Sequence, residues 1–351
     1  MEDISGNIKT KMISNKYNQV WVDGSWLLTR SLWMATKDLE IDQFNPGDVV
    51  RLCLYTISKL SKDWGITNDK VITVWDKWSK DFGGYWRSWM IKNYVQYKGS
   101  RKFITEQTIE EMRNDPNVTE EELNKAIREL ATNRIKFKAK EIMMNEFPKI
   151  GIPSYYWDGL EFDDIVSIAS FQLYQPAGKP NVIFTKDSDL QYSTCPNCIW
   201  ACPPKSGETE PKIITYDEMY YQIPEPLRNA GLSLYNYNAL MNAAGFMGHN
   251  DMGVAKKSHT NSVSALLRIM SGDYSDIENV DMFKAQLASY DLSQFPDIER
   301  VKYDISNFDK IGHYGNLDDF HDFCTRNKVT QVSDKYYSAM MDRFDQKLFT
   351  E

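Results

Sequence analysis

No stretch of the 351 residues comes near the roughly 20 consecutive apolar residues that cross a bilayer, and no membrane partner is expected. The first residues, MEDISGNIKTKMISNKYNQ, lack the apolar core of a secretory signal, so the expected location is cytoplasmic. Cysteine is scarce and odd in number: of five, Cys195, Cys198 and Cys202 cluster while Cys53 and Cys324 stand alone, which argues against a disulfide framework. A structural zinc site at the cluster lacks a fourth ligand, and Pro196 with Asn197 reads instead as a turn between short strands. His259, His313 and His321 have no partner at ligand spacing. Positive charge is not in excess, since the net charge is -8, which excludes nucleic-acid binding by bulk attraction. It does not exclude nucleic acid, because acids gathered around metal ions reverse the local field. There is no internal repeat or low-complexity tract.

What is present is an ordinary globular composition, 42% hydrophobic and 26% charged, with enough chain for one large or two modest domains. Residues 181–190, NVIFTKDSDL, organise the rest. Val182, Ile183 and Phe184 make a run suited to one buried strand, and it ends in Asp187 and Asp189. Side chains two apart on an extended segment point the same way, so both carboxylates can face one point beyond the strand end, where open α/β sheets bind ligands. Carboxylates held that close repel unless a cation sits between them, and oxygen-only ligands favour Mg²⁺ or Mn²⁺.

Other acids fall at similar places. QVWVD, residues 19–23, reads as a strand ending at Asp23 before Gly24, Ser25 and an apolar helix; VITVW, residues 71–75, reads as a strand ending at Asp76. GIPSYYW, residues 151–157, is extended, and Asp158, Glu161, Asp163 and Asp164 then open an apolar helix, more acids than capping and the helix dipole need. GHND brings Asp251 in a glycine-bordered turn near Lys256 and Lys257. If the strands are parallel neighbours, these acids converge on one sheet edge. Such a cluster can hold two Mg²⁺ ions about 3.5–4 Å apart, which activate water and stabilise the attacking and leaving oxygens of phosphodiester hydrolysis.

From Lys77 to Phe103 aromatics alternate with cations: Trp78, Phe82, Tyr85, Trp86, Trp89, Tyr94 and Tyr97 among Lys77, Lys80, Arg87, Lys92, Lys98, Arg101 and Lys102. Rings stack on bases and cations pair with phosphates, although an amphipathic helix with core rings and solvated charges has the same composition. Residues 105–144 are helical and highly charged, with Thr119 and Glu122 spaced as a capping box. Pro224 and Pro226 suggest a boundary near residue 230, with a small helical domain after it.

VWVDGSWLL, VWDKWSKDFGGYWRSWMIKNYVQYKGSRK, GLEFDDIVSIA, VIFTKDSDLQ and GHNDMGV, in that order, resemble the 5′ nuclease (flap endonuclease-like) family, and most closely its T4 ribonuclease H type, over roughly residues 19–255. The resemblance implies a PIN-like α/β core over residues 1–230 with a mostly parallel central sheet. It also implies a helical arch at about 82–145 that admits single-stranded 5′ ends, and a C-terminal helical region, 231–351, that grips duplex. It implies that Asp23, Asp76, Glu161, Asp163, Asp164, Asp187, Asp189 and Asp251 are metal-site acids, and that Arg87, Lys92, Lys98 and Arg101 hold the scissile phosphate and its neighbours, with Lys102 beside them. In two places the sequence departs from the family. GHND keeps one acid, Asp251, where the family usually has two, and the glycine-rich duplex-binding signature is not legible, leaving Lys256, Lys257 and Arg268 for that grip.

The expected function is a Mg²⁺-dependent 5′ to 3′ exonuclease or flap endonuclease that removes RNA primers or 5′ flaps in replication, on DNA or RNA–DNA hybrid. The altered GHND motif motivates a second reading, a structure-specific DNA-binding protein with reduced or lost cleavage. A Toprim-type phosphotransferase would share the glutamate and Asp-x-Asp but leaves Asp23, Asp76 and GYWR unexplained. QKLF, residues 346–349, resembles peptides that dock on a sliding clamp, and a single-strand-binding protein is another candidate partner.

Overall fold

The computed structural model describes residues 17–66, 70–94, 104–172, 180–204, 208, 210–245, 262–307 and 317–330. Strands β1 (Val20–Asp23), β2 (Val71–Trp75), β3 (Ser154–Tyr156), β4 (Asn181–Phe184), β5 (Cys198–Cys202) and β6 (Lys212–Ile214) form one sheet, ordered β3-β2-β1-β4-β5-β6. Every neighbouring pair is parallel except β5 with β6. The chain steps outward from β1 through β2 to β3, then returns to place β4 on the other side of β1. That reversal creates a switch point between β1 and β4, with Val22 beside Phe184.

The helices are α1 (Gly24–Thr36), α2 (Pro46–Asp63), α3 (Trp86–Ile91), α4 (Glu106–Asn114), α5 (Glu120–Glu146), α6 (Phe162–Ser167), α7 (Tyr216–Tyr220), α8 (Glu225–Asn229), α9 (Leu234–Ala243), α10 (Ser262–Met270), α11 (Val280–Ser289), α12 (Ile298–Ser306) and α13 (Leu317–Arg326). Local chemistry sets their starts. Asn45 caps α2 ahead of Pro46, and the Thr119–Glu122 capping box closes reciprocally at the start of α5.

Alternation along the strands divides the core. Val20, Val22, Val71, Trp75, Val182 and Phe184 pack on one face with α1, α2 and the C-terminal part of α5. Trp21, Ile72, Val74, Ile183 and Trp200 pack on the other with α6 and α12. The later chain is shared among clusters. Leu227, Leu232, Leu240, Leu266 and Phe283 build a third one, with contributions from both sides of position 230. Val301 and Ile305 of α12 join the second face, and Phe320 and Phe323 of α13 join the first. Between β4 and β5, Cys195 and Cys198 exchange backbone hydrogen bonds across the Pro196–Asn197 turn, and both side chains are buried thiols.

Candidate functional site

Asp23 ends β1 and caps α1 with no residue between them. Its Oδ1 accepts from the Trp26 N–H at 3.0 Å and its Oδ2 from the Thr185 hydroxyl at 2.9 Å, across the switch point. The junction requires Gly24: a Cβ there would lie 2.5 Å from the Trp75 ring and 2.7 Å from the Val74 carbonyl oxygen. Thr185, buried just past β4, also accepts the Asp187 N–H at 3.1 Å, so one hydroxyl ties the β1 acid to the β4 acids. Asp187 is exposed, and its Oδ1 accepts the Asp189 N–H at 2.9 Å.

Asp76 follows β2. Its Oδ1 accepts the Phe162 N–H at 2.8 Å, its Oδ2 lies 3.4 Å from the Ser25 hydroxyl, and its carbonyl accepts Lys140 Nζ at 2.7 Å. Phe162 N belongs to the first turn of α6, so Asp76 fixes the start of the helix that bears Glu161 and Asp163. Gly159, at φ +89°, allows the chain to pass under Phe82, which a Cβ would meet at 2.4 Å.

The electrostatics show which acids feel one another's charge. Burial pushes the Asp23 carboxyl up to about 6, and the nearby Asp76 charge adds to this against the opposing hydrogen bonds. Asp163 is held well above the ordinary carboxylate range by desolvation; Arg87 opposes this, while Asp187, Glu161 and Asp76 reinforce it. Acids that follow β2, β3 and β4 therefore share one field, and Asp23 joins it through Asp76.

Asp164 and Arg87 pair with each other. Asp164 is wholly buried, with Oδ2 accepting the Glu161 N–H at 3.0 Å and Oδ1 2.7 Å from Arg87 Nη2. Arg87 is only 8% exposed and lies 4.7 Å from the centre of the Tyr290 ring. Burial works against its charge, but Asp164 holds the guanidinium protonated, and its value stays above the usual one. Their charges face each other at 2.7 Å, and the pair lies beneath the surface. The reason is distant in sequence: Tyr290, and Tyr235 whose hydroxyl bonds the Tyr290 carbonyl at 2.7 Å, come from the C-terminal helices that close over α3.

The aromatic segment divides. Phe82 and Trp86 pack around Phe295, whereas Trp78, Trp89 and Tyr94 are exposed, with Lys92 Nζ 5.1 Å from the Trp89 ring centre. Lys98, Arg101, Lys102, Asp251, Lys256, Lys257 and the QKLF segment lie outside the described residues. Thr185, Ser25 and Lys140 hold the site acids without having been singled out in the sequence.

For a divalent ion the donor set fits in kind, being oxygen throughout. Among the described residues no three acids are drawn tightly around one point. Asp23 and Asp76 have oxygens turned toward protein donors. Mg²⁺ keeps several of its waters, so a looser ring of carboxylates suits it better than a dry cage would.

No protein-family model and no curated protein matches the chain. Solved structures do. Human GEN1 in complex with Holliday junction DNA matches with a TM-score of 0.50 at 12% identity, over 95% of this chain and 75% of that one. The fold is the PIN-like one of the flap endonucleases. Flap endonuclease-1 from Methanococcus jannaschii matches at TM-score 0.45 and 14% identity, over 95% of this chain and 94% of that one. The bacteriophage T5 D15 flap endonuclease, in a pseudo-enzyme-product complex with DNA and metal ions, matches at 0.42 and 14%, over 94% and 100%.

Proposed function

We propose that the chain is a divalent-metal-dependent 5′ nuclease of the T4 ribonuclease H type, hydrolysing phosphodiester bonds of RNA primers or 5′ flaps in replication. The observation that carries this reading is the mutual repulsion at the carboxyl edge of the parallel strands, where Asp163 feels Asp187, Glu161 and Asp76, and Asp23 feels Asp76. Crowded acids of this kind destabilise a fold unless a cation offsets them, and they mark functional sites. Asp23, Asp76, Glu161, Asp163, Asp187 and Asp189 would hold two Mg²⁺ or Mn²⁺ ions, with Asp251 as a further donor. When bound, such a pair activates water and stabilises the attacking and leaving oxygens of an in-line displacement.

The chain's own residues orient this set. Thr185 and the Trp26 N–H fix Asp23, while the Phe162 N–H and Ser25 fix Asp76. Exposed Trp78, Trp89 and Tyr94 offer stacking faces to unpaired bases, with Lys92 beside them for a phosphate. In this reading α4 and α5 belong to the arch, Lys98, Arg101 and Lys102 contact the threaded strand, and Lys256 and Lys257 contact duplex.

The test is cleavage of a labelled 5′-flap duplex by the purified chain with Mg²⁺, with Mn²⁺ and with EDTA. Products that appear only with metal and carry a 5′-phosphate support the reading. Tight binding with no product in either metal overturns it in favour of a structure-specific DNA-binding protein, the alternative that GHND motivates.

A further inference from the structure

Cys195 and Cys198 bracket the Pro196–Asn197 turn at the start of β5, a Cys-x-x-Cys pair that the acid cluster does not use. Their backbones exchange both hydrogen bonds, the Cys198 N–H donating to the Cys195 carbonyl at 2.8 Å and the Cys195 N–H to the Cys198 carbonyl at 3.2 Å. Residues paired in this way have Cα atoms about 5.5 Å apart and side chains on one face. Disulfides span Cα separations of about 4.4–6.8 Å, so this pair can close by side-chain adjustment without moving the backbone apart. The thiols are already hydrogen-bonded: Cys198 donates to Cys195, and Ser170 Oγ donates to Cys198 Sγ at 3.3 Å. The bond from Cys198 draws the Cys195 thiol below its ordinary value, while the same bond and burial hold the Cys198 thiol well above its own.

No other cysteine competes for either partner. Cys202 lies four residues along β5, roughly 13 Å from Cys198, and Cys53 and Cys324 belong to the core on the opposite face of the sheet. Two thiols without further ligands suit redox chemistry better than a metal. The pair also sits behind the acids. Cys195 follows the helical turn Ser188–Ser193 that carries Asp189, and Trp200, two residues past Cys198, donates its Nε1–H to the Asp187 carbonyl at 2.9 Å.

We infer that Cys195 and Cys198 form a reversible thiol–disulfide site, oxidised by small disulfides of the glutathione class, whose bond clasps the segment that carries Asp187 and Asp189. Cys195 attacks first, being 6% exposed against 2% for Cys198 and adjoining the exposed Pro196. Its thiolate, having released a proton to solvent, attacks one sulfur of the small disulfide, whose S–S bond breaks and expels a thiolate. Cys198, deprotonated in turn, attacks Cys195 Sγ and expels the second thiolate. Two protein thiols are oxidised, one small disulfide is reduced to two thiols, and the released protons end on those. A small dithiol reverses the sequence.

The experiment uses the reduced full chain, equilibrated with oxidised glutathione, with free thiols then capped by N-ethylmaleimide and peptides mapped by mass spectrometry. A Cys195–Cys198 bond that dithiothreitol removes is expected, at several-fold less oxidised glutathione than the urea-unfolded chain requires, because the fold holds the thiols together. Capping of all five cysteines, a different pairing, or equal glutathione demand in urea overturns the site. Cys198→Ser should stop at a glutathione adduct on Cys195, and an adduct absent there overturns the order of attack. Amide hydrogen exchange over residues 188–198 should be slower in the oxidised parent than in the reduced one, and equal exchange overturns the clasp. Neither measurement involves metal or nucleic acid, so the proposal stands or falls apart from the nuclease reading.

Discussion

Arg87 Nη2 and Asp164 Oδ1 meet at 2.7 Å in a buried ion pair that joins α3 to the first turn of α6. Asp164 also takes the Glu161 N–H, so the pair sets where the acidic helix begins. Replacing Arg87 with Met would strand a buried carboxylate, at a cost of about 3–5 kcal/mol. Urea denaturation should register that loss for Arg87→Met, and the double variant Arg87→Met/Asp164→Leu should recover most of it. A stability for Arg87→Met equal to that of the parent would show the pair to be dispensable.

Asp187 is exposed and supports little of the core, so Asp187→Asn should fold normally while keeping an oxygen for the Asp189 N–H. Its cleavage of a 5′-flap substrate should fall by on the order of 10²–10³-fold or more, the scale of removing one preorganised electrostatic group. Parent-like turnover would remove Asp187 from the site.

Thr185→Val keeps the shape and removes the donor to Asp23 Oδ2. Partners that orient ligating groups typically contribute about 10–100-fold to metal affinity or activity. The expected signature is a higher Mg²⁺ concentration for half-maximal cleavage with little change in substrate affinity. A parallel rise in KM alone would contradict this role.

Stability without metal should fall as pH rises. An unfolded Asp titrates near 3.9, whereas Asp23 in the folded chain titrates at about 6, so the folded state keeps a proton that the unfolded chain releases. The favourable contribution is full below about pH 4 and is lost by the time pH has passed about 6, up to about 3 kcal/mol before solvent screening. Asp163 shifts in the same direction. Melting curves in EDTA should show Asp23→Asn flattening this decline, and added Mg²⁺ should restore the parent chiefly above pH 6. An identical pH slope in Asp23→Asn would show that Asp23 is not its source.

The strands that carry acids were legible because each is a short apolar run cut off by an aspartate, as VWVD and VITVWD show. Their parallel order was only assumed, since pairing depends on crossovers that periodicity does not encode. The buried pairing of Arg87 was not legible because an arginine amid tryptophans has the same composition whether it faces a phosphate or a buried acid, and its partners Asp164 and Tyr290 lie far along the chain. Lys140 went unnoticed for a related reason: on a helix as charged as α5 it resembles its solvated neighbour Lys138, and only the packing of α5 on β3 turns it toward Asp76.

Helix α12 adds Val301 and Ile305 to the core cluster on one face of the sheet, and α13 adds Phe320 and Phe323 to the cluster on the other, although both come from the last part of the described chain. During synthesis the strands emerge long before these two helices, leaving part of each apolar cluster uncovered on the ribosome. The nascent protein therefore has to wait for its tail, and this interval is where a chaperone would be needed most.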